Sequence, residues 1–273
     1  MIEKLYHKYR QEIFPKIDHI RGATRLKDFL ESLALRKVEK VEEKNVKDVF
    51  DEEWDNLIII DACRQDFWKE ETGRRGSRIS KASSTVEYIR KNFTEGDFSD
   101  YVYVTANPQF SDWKFEELTG KNSENTFHSV FKTFNTDWDE DANTVLPEDT
   151  VRDAKTAKKL FPDKKIIVHF LPPHYPFIMK PLTKGGIGPD LPGKNNSAWD
   201  LAEQGKLSKE TVEDAYRDNI SYVENYVEKL ADELKGKTIL TSDHGNFVGE
   251  SGFYGHPTER DEVPVRKVPY HKL

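Results

Sequence analysis

Four short runs of apolar, mostly β-branched or aromatic residues constrain the fold of this chain more than any other feature. They are Leu57–Ile60, Tyr101–Val104, Ile166–Phe170 and Thr238–Thr241. Runs of this kind fill the central strands of a parallel sheet that is buried on both faces. Helical sequence separates the runs, so the connections between them are crossovers. The chain is therefore predicted to form an α/β fold with a mostly parallel central sheet.

The clearest helix is predicted to begin near Ser208, a residue suited to an N-cap, and to stop before Gly236. Residues 1–53 are rich in charge, with apolar positions near helical spacing, and are predicted to form an N-terminal helical extension. Residues 54–273 would then form the main α/β domain. The segment Thr183–Gly205 is rich in Gly, Pro, Asn and Lys, which is typical of a long surface loop or lid.

Charge and cysteine content exclude several classes of protein. The chain has 42 Lys and Arg residues against 49 Asp and Glu residues, and the resulting net charge of −7 argues against nucleic acid as the main partner. The single cysteine, Cys63, excludes an intramolecular disulfide and a multi-cysteine metal site. No run of about 18 apolar residues indicates a membrane span, and the N-terminus lacks the apolar block of a secretory signal. These features predict a cytoplasmic protein.

Polar residues follow each predicted strand. Asp61 follows the first, Asn107 the second, His174 the third, and Asp243 with His244 the fourth. Because open parallel sheets bind ligands at the carboxyl ends of their strands, these side chains are expected to meet at one edge. Together they predict a functional site.

Carboxylate oxygens and imidazole nitrogens bind divalent metals, so Asp61, Asp243 and His244 are a candidate ligand set. Three protein ligands leave coordination positions open, as a catalytic metal requires. The alternative is that Asp61 and Asp243 only cap the helices that follow them. A set of this composition can hold zinc, manganese, magnesium or calcium.

Hydroxyl residues precede another predicted helix, in the segment Ser80–Thr85. Free backbone N–H groups and the helix dipole attract anions at such a position, which suits a nucleophile that attacks a phosphate or sulfate ester. The alternative is that Ser83, Ser84 or Thr85 merely caps the helix.

The Asp after the first strand, the Ser/Thr at a helix start and the late Ser-Asp-His-Gly segment resemble the alkaline phosphatase and sulfatase superfamily. The stretch from Trp54 to Arg64 is most similar to compact archaeal sulfatase-like proteins. The resemblance spans roughly residues 54–269. It implies an alkaline-phosphatase-like three-layer sandwich, with the N-terminal helical extension outside it.

The resemblance also implies roles for individual residues. Asp61, Asp243 and His244 match the metal ligands, and Thr85 matches the nucleophile of Thr-type members, which also contacts the metal. Asn107 matches an Asn that contacts the phosphate.

Two histidines match positions that contact the substrate. His174 lies in the segment Pro173–Phe177, which is similar to a Pro-His-x-Pro-Phe motif whose histidine contacts the substrate. His256 stands where several members place a metal ligand or a substrate-binding residue. His169, inside an apolar strand, is more typical of a buried supporting residue.

The sequence departs from sulfatases at Cys63, which lacks the surrounding pattern for conversion to formylglycine. The neighbouring Arg64 either pairs with Asp66 or binds the substrate anion. No Asp-x-x-x-His element for a second metal is evident. One ion is therefore favoured, with His174 and His256 as the alternative ligands of a second.

The sequence thus predicts a metal-dependent hydrolase of phosphate or sulfate esters with Thr85 as the activated nucleophile. The substrate would be a small-molecule ester or one linked to a glycan or lipid. One alternative is a phosphoryl-group transferase or mutase of the same superfamily, acting in glycan or lipid assembly. The other is a non-enzymatic protein that uses its N-terminal helices to bind a partner. No pattern indicates an oligomeric state.

Overall fold

The computed structural model describes residues 5–6, 8–13, 16, 23–183 and 197–273. The strands of this part of the chain are β1 (Asn56–Asp61), β2 (Ser77–Ile79), β3 (Phe98–Thr105), β4 (Phe127–Lys132), β5 (Trp138–Asp139), β6 (Thr144–Val145), β7 (Lys165–Pro173), β8 (Thr238–Thr241), β9 (Phe247–Val248), β10 (Tyr254–Gly255) and β11 (Lys267–Lys272). Its α-helices are α1 (Ala23–Ala34), α2 (Gln65–Thr72), α3 (Thr85–Phe93), α4 (Asp112–Thr119), α5 (Ser123–Thr126), α6 (Thr133–Thr136), α7 (Pro147–Leu160), α8 (Ala198–Glu203), α9 (Lys209–Glu233) and α10 (Val263–Arg266).

The central sheet has the strand order β2-β11-β8-β1-β7-β3-β4. Strands β8, β1, β7, β3 and β4 are mutually parallel, and β11 runs antiparallel to both β8 and β2. The predicted mostly parallel sheet is confirmed. The first strand, β1, lies between β7 and β8, so the residues that follow β1, β7 and β8 emerge side by side.

Both faces of the sheet are buried, as the apolar strand runs predict. Leu57 and Ile59 of β1 face a core that includes the aromatic residues of α3, whereas Ile58 and Ile60 face the core against α9. Successive side chains of a strand point to opposite faces, so one continuous apolar run serves two helical layers. The result is the three-layer α/β sandwich expected from the sequence.

The four predicted runs correspond to β1, β3, β7 and β8, and Ser208 caps α9 as expected. Of the predicted loop Thr183–Gly205, residues 184–196 lie outside the described residues. The prediction of a loop is wrong for Ala198–Glu203, which form α8. The Ser197 hydroxyl accepts a hydrogen bond from the Asp200 amide, and the Asp200 carboxylate accepts one from the Ser197 amide, so a capping box starts this helix.

Among the described N-terminal residues, Tyr9–Ile13 form a π-helical turn and Ala23–Ala34 form α1. Three 3₁₀ turns follow, at Leu35–Lys37, Glu43–Asn45 and Val49–Asp51. Leu30 and Leu35 pack against Phe253 and Val265, and Val49 lies in the core beneath β1. The extension therefore contacts the predicted main α/β domain closely. The boundary after residue 53 stays a prediction. Among the described residues, no helix combines the length and apolar character that a membrane crossing requires.

Candidate metal centre and active site

Asp61 ends β1, and Asp243 and His244 follow the neighbouring strand β8. Parallel pairing of β1 with β8 places these residues at the same edge of the sheet. One potential ligand atom from each of the three lies within 4.8 Å of the others, and all three side chains are fully buried. The structure thus brings together the metal-ligand set expected from the strand ends.

The turn after β1 orients Asp243. Ala62 has a positive φ of 59°, an uncommon backbone conformation for a residue with a Cβ. Its amide donates to Asp243 Oδ1 at 3.1 Å, and the His244 amide donates to the same oxygen at 2.9 Å. Tyr216 holds the turn by donating from its hydroxyl to the Ala62 carbonyl at 2.6 Å. With Oδ1 fixed by the backbone, Oδ2 points into the site.

The first residue of α3 is Thr85, and its hydroxyl lies within the carboxylate cluster. Thr85 Oγ1 is 2.9 Å from Asp243 Oδ2, 3.4 Å from Asp61 Oδ1 and 3.2 Å from His244 Nε2. The amino end of the helix adds free N–H groups and a partial positive charge at this position. Both features suit an oxygen nucleophile that attacks an anionic ester.

The structure separates the three candidate hydroxyls. Ser84 is the N-cap of α3, and its side chain accepts from the Glu87 amide at 3.4 Å. Ser83 Oγ lies 3.0 Å from Glu87 Oε2 and 2.8 Å from the Pro257 carbonyl. Of the three, Thr85 is therefore the one whose hydroxyl contacts the candidate metal ligands.

Asn107, after β3, reaches the same cluster. Its Oδ1 accepts from the Gln109 amide at 2.8 Å, which turns Nδ2 toward the site. Nδ2 donates to Asp61 Oδ2 and lies 3.4 Å from Thr85 Oγ1. The side chain is thus oriented as a hydrogen-bond donor beside the Thr85 hydroxyl.

His174 and His256 form a hydrogen-bonded pair next to His244. Their Nε2 atoms are 2.9 Å apart, and the rings of His256 and His244 are centred 4.4 Å from each other. His174 Nδ1 donates to the Tyr175 carbonyl at 2.5 Å, so a neutral His174 accepts at Nε2 from His256. Because these two Nε2 atoms are hydrogen-bonded to each other, we retain the prediction of a single metal ion.

The ionisation of these three imidazoles differs because their surroundings differ. Burial lowers the pKa of His174, and burial with the neighbouring His244 and His174 lowers the pKa of His256 further. Burial also lowers the pKa of His244, but Asp243 and Asp61 outweigh it and raise the pKa to about 9. His244 Nδ1 donates to the Gly245 carbonyl at 2.7 Å, which directs Nε2 at the carboxylates.

The donor set fits a divalent metal ion. Asp61 and Asp243 are completely buried, yet no described Lys or Arg forms an ion pair with either carboxylate. Removing such charges from water costs several kcal/mol per ion unless a cation compensates. Two carboxylates and one oriented imidazole nitrogen would hold a divalent cation, and the same set is compatible with each metal predicted from the sequence.

Arg64 lies beside this cluster and is engaged elsewhere. Its guanidinium binds Asp66 at 2.6 Å and Glu250 at 2.5 Å. Of the two sequence interpretations, the structure shows the pairing with Asp66, so we do not propose a substrate contact for Arg64. Burial, with Asp66 and Asp243 nearby, raises the pKa of the Cys63 thiol, which suits a packed, unreactive side chain.

His169 is the residue whose position in the site was least evident from the sequence. It is fully buried in β7, its Nε2 lies 3.8 Å from Asp243 Oδ2, and that nitrogen has no hydrogen-bond partner among the described residues. Tyr103 OH lies 3.0 Å from its Nδ1 and fixes the ring. A histidine inside an otherwise apolar strand was the available signal.

Fold and site together define a three-layer α/β protein with an Asp, Asp, His cluster that could hold a metal ion. No protein-family model matches the sequence, and no curated protein matches it either.

Solved structures do resemble the chain. The soluble domain of lipooligosaccharide phosphoethanolamine transferase A from Neisseria meningitidis superposes with a TM-score of 0.51 at 16% identity, covering 79% of this chain and 75% of that one. The integral membrane protein of the same name superposes with a TM-score of 0.53 at 15% identity, covering 91% of this chain and 53% of that one. This chain thus corresponds to about half the length of that membrane protein. At these identities the similarity establishes the fold.

Proposed function

We propose that this chain is a metal-dependent phosphoryl-group transferase of the alkaline phosphatase superfamily, with Thr85 as its nucleophile. The observation that carries the proposal is the position of Thr85 Oγ1, at 2.9 Å from Asp243 and 3.2 Å from His244 at the start of a helix. The resemblance to compact archaeal sulfatase-like proteins remains a prediction from the sequence.

In the proposed reaction, Thr85 Oγ1 attacks the phosphorus of the donor ester and the bond to the leaving oxygen breaks. Asp61, Asp243 and His244 would hold a divalent ion, which would supply Lewis-acid stabilisation and lower the pKa of the threonine hydroxyl. Asn107 Nδ2 and the free N–H groups of α3 donate to the equatorial oxygens as negative charge develops.

The His174 and His256 pair takes the proton that the Thr85 hydroxyl loses and passes it to the leaving oxygen. Burial lowers the pKa of both imidazoles, so the pair is neutral before the attack and gives up an acquired proton readily. The same pair can then take a proton from the group that attacks the phosphothreonine ester. This reversal regenerates Thr85 and completes one cycle.

Two considerations favour transfer to an alcohol over hydrolysis. Thr85 is only 4% exposed, so a covalent ester on it is sheltered from bulk water. In addition, the solved structures that resemble this chain carry the name of a phosphoethanolamine transferase. The transferase alternative of the sequence analysis is therefore better supported than the hydrolase.

The test is product analysis with bis-p-nitrophenyl phosphate, p-nitrophenyl phosphate and p-nitrophenyl sulfate, each with added Zn, Mn, Mg or Ca. Glycerol serves as the acceptor, and ³¹P NMR separates glycerol esters from hydrolysis products. We expect a phosphate ester to be consumed and the glycerol ester to form, with both reactions absent in Thr85→Ala. Hydrolysis without any glycerol ester would contradict transfer, and inertness toward all esters with every metal would contradict the enzyme.

A further inference from the structure

A second cleft lies on the flank of the catalytic edge and is strongly basic. This flank cleft has a volume of about 310 Å³, and its lining includes Arg64, Asp66, Lys69, Arg75 and Lys267. It lies where the amino-terminal half of α2 meets the edge pair β2 and β11. Four cations against one carboxylate give a local excess of positive charge in a chain whose net charge is −7.

Three of these cations lack a counter-charge within the part of the chain that the structure describes. Arg64 is neutralised by Asp66 and Glu250, but Lys69, Arg75 and Lys267 form no ion pair with any described residue. Arg74, directly before Arg75, does pair, with Glu228 at 2.5 Å. Like charges gathered without counter-charges repel one another, so an anion between them would be stabilised.

A buried polar group in the cleft wall also lacks a partner. Gln65 lines the cleft and is only 5% exposed, and its Oε1 has no hydrogen-bond partner among the described residues. Its Nε2 makes only a long contact, 3.5 Å, with the Arg74 carbonyl. Gln65 Oε1 is closed off from solvent, so the cations and not Gln65 are the groups that an anion in the cleft would contact.

The cleft at the opposite edge of the sheet shows that lysine content alone is not the signal. That cleft, of about 710 Å³, is lined by six lysines but also by four acidic residues. Lys155 pairs with Glu233 at 2.6 Å and Lys164 with Asp100 at 2.8 Å. Its positive charge is therefore largely compensated within the protein.

We propose that the flank cleft is a phosphate-binding site, formed by Lys69, Arg75 and Lys267, for free phosphate or the phosphate group of an ester. Arginine and lysine side chains bind phosphate oxygens through charge-assisted hydrogen bonds. The site is separate from the Thr85 cluster and does not depend on the catalytic proposal.

The test is calorimetric titration of the full chain with inorganic phosphate and with glucose 6-phosphate at low ionic strength. The double variant Arg75→Gln/Lys267→Gln should weaken binding at least tenfold. The matched variant Lys158→Gln/Lys159→Gln, which removes equal charge at the opposite edge, should change it less than twofold. Asp243→Asn should also retain binding, because it disrupts only the candidate metal site.

The alternatives are distinguishable. Three results would show that the flank cleft is not the site. Both double variants could weaken phosphate binding equally, or only Asp243→Asn could lose it. The unaltered chain could also fail to bind phosphate at all. Equal affinity for the two probes would assign the site to the free anion. Tighter binding of glucose 6-phosphate would assign it to a phosphorylated ligand, and both of these results support the cleft. Circular dichroism of each variant controls for folding.

Discussion

The charged side chains at the two edges of the central sheet differ in burial and in ion pairing. At the carboxyl edge, Asp61 and Asp243 are completely buried and have no Lys or Arg partner among the described residues. At the amino edge, Lys155 and Glu233 lie largely in solvent and neutralise each other at 2.6 Å. Exposed pairs contribute little to stability, whereas buried uncompensated carboxylates cost several kcal/mol.

This difference places the energetically unfavourable features of the fold at the carboxyl edge of the sheet. A backbone strained at Ala62 and buried carboxylates without a Lys or Arg partner among the described residues persist only because the surrounding structure fixes them. Such features mark a site built for a ligand or a reaction. The charges of the amino edge are typical of a solvated surface. Substitutions at the carboxyl edge should therefore impair turnover and metal binding, whereas substitutions at the amino edge should change only stability, and only slightly.

The largest expected effect is at Thr85, the proposed nucleophile. Thr85→Ala should lower kcat/KM by about 10³-fold or more, because no other hydroxyl in the described chain occupies the junction of Asp243 and His244. Steady-state kinetics with the best chromogenic ester measures the loss. Ser84→Ala is the matched control: losing the N-cap should cost about 1 kcal/mol of stability and change turnover less than about threefold. Equal losses in the two variants would show that helix integrity, not the Thr85 hydroxyl, is what matters.

The next effect is on metal binding. A metal that binds only the folded chain at 100 times its Kd adds about 2.7 kcal/mol to the free energy of unfolding. Asp243→Asn should abolish most of that increment because one of the two buried carboxylate ligands is lost. Urea unfolding with and without the metal measures it. Glu233→Gln, at the amino edge, should retain the full increment, and an unchanged increment in Asp243→Asn would place the metal elsewhere.

A smaller effect tests a half-buried imidazole outside the site, that of His271. Burial, with Arg74 nearby, lowers the pKa of His271 to about 4 from 6.5. The folded chain then binds fewer protons than the unfolded chain between these values. The stability contributed by a neutral His271 is thus present above pH 6.5 and lost as the pH falls toward 4. Because the ring is partly exposed, we expect about 1–2 kcal/mol.

His271→Gln should reduce this pH-dependent loss, measured as the difference in urea unfolding between pH 7.5 and pH 5 in the presence of a chelator. His128, on exposed surface, offers the control variant His128→Gln. If both variants lose as much unfolding free energy between pH 7.5 and pH 5 as the unaltered chain does, the pH dependence arises at the carboxyl edge and not at His271.

The smallest effect is at the amino edge. Lys155→Met and Glu233→Gln should each change the free energy of unfolding by less than about 0.5 kcal/mol, because water screens their ion pair. Turnover should be unchanged in both. A change of several kcal/mol, or a loss of activity, would remove the contrast between the two edges.

The core of the fold was predictable because its strands are continuous apolar runs. β4 and β11 were not predicted, since polar residues such as His128 and Lys272 and the proline Pro269 interrupt them. These strands lie at or near the sides of the sheet, where one face or edge is less buried. Their places are set by pairing with β3 and β8, which local sequence does not reveal.

The residues of the candidate site that could be predicted from the sequence are those that the strand order alone brings together. Asp61, Asp243 and His244 meet because parallel strands end at one edge. The choice among Ser83, Ser84 and Thr85 was different, because each can cap a helix and the sequence resolves it only through a family resemblance. The position at which α3 begins decides which hydroxyl caps the helix and which one points into the site. Sequence patterns do not locate the end of a helix to within one residue.

Intact-protein mass spectrometry of an acid-quenched reaction shows directly whether Thr85 forms a covalent intermediate. The metal-loaded chain is mixed with bis-p-nitrophenyl phosphate without an acceptor and quenched within the first turnover. We expect one phosphoryl-ester adduct per chain, mapped to the peptide that contains Thr85 and absent from Thr85→Ala. Turnover without an adduct, or an adduct on Ser83, Ser84 or His174, would contradict it.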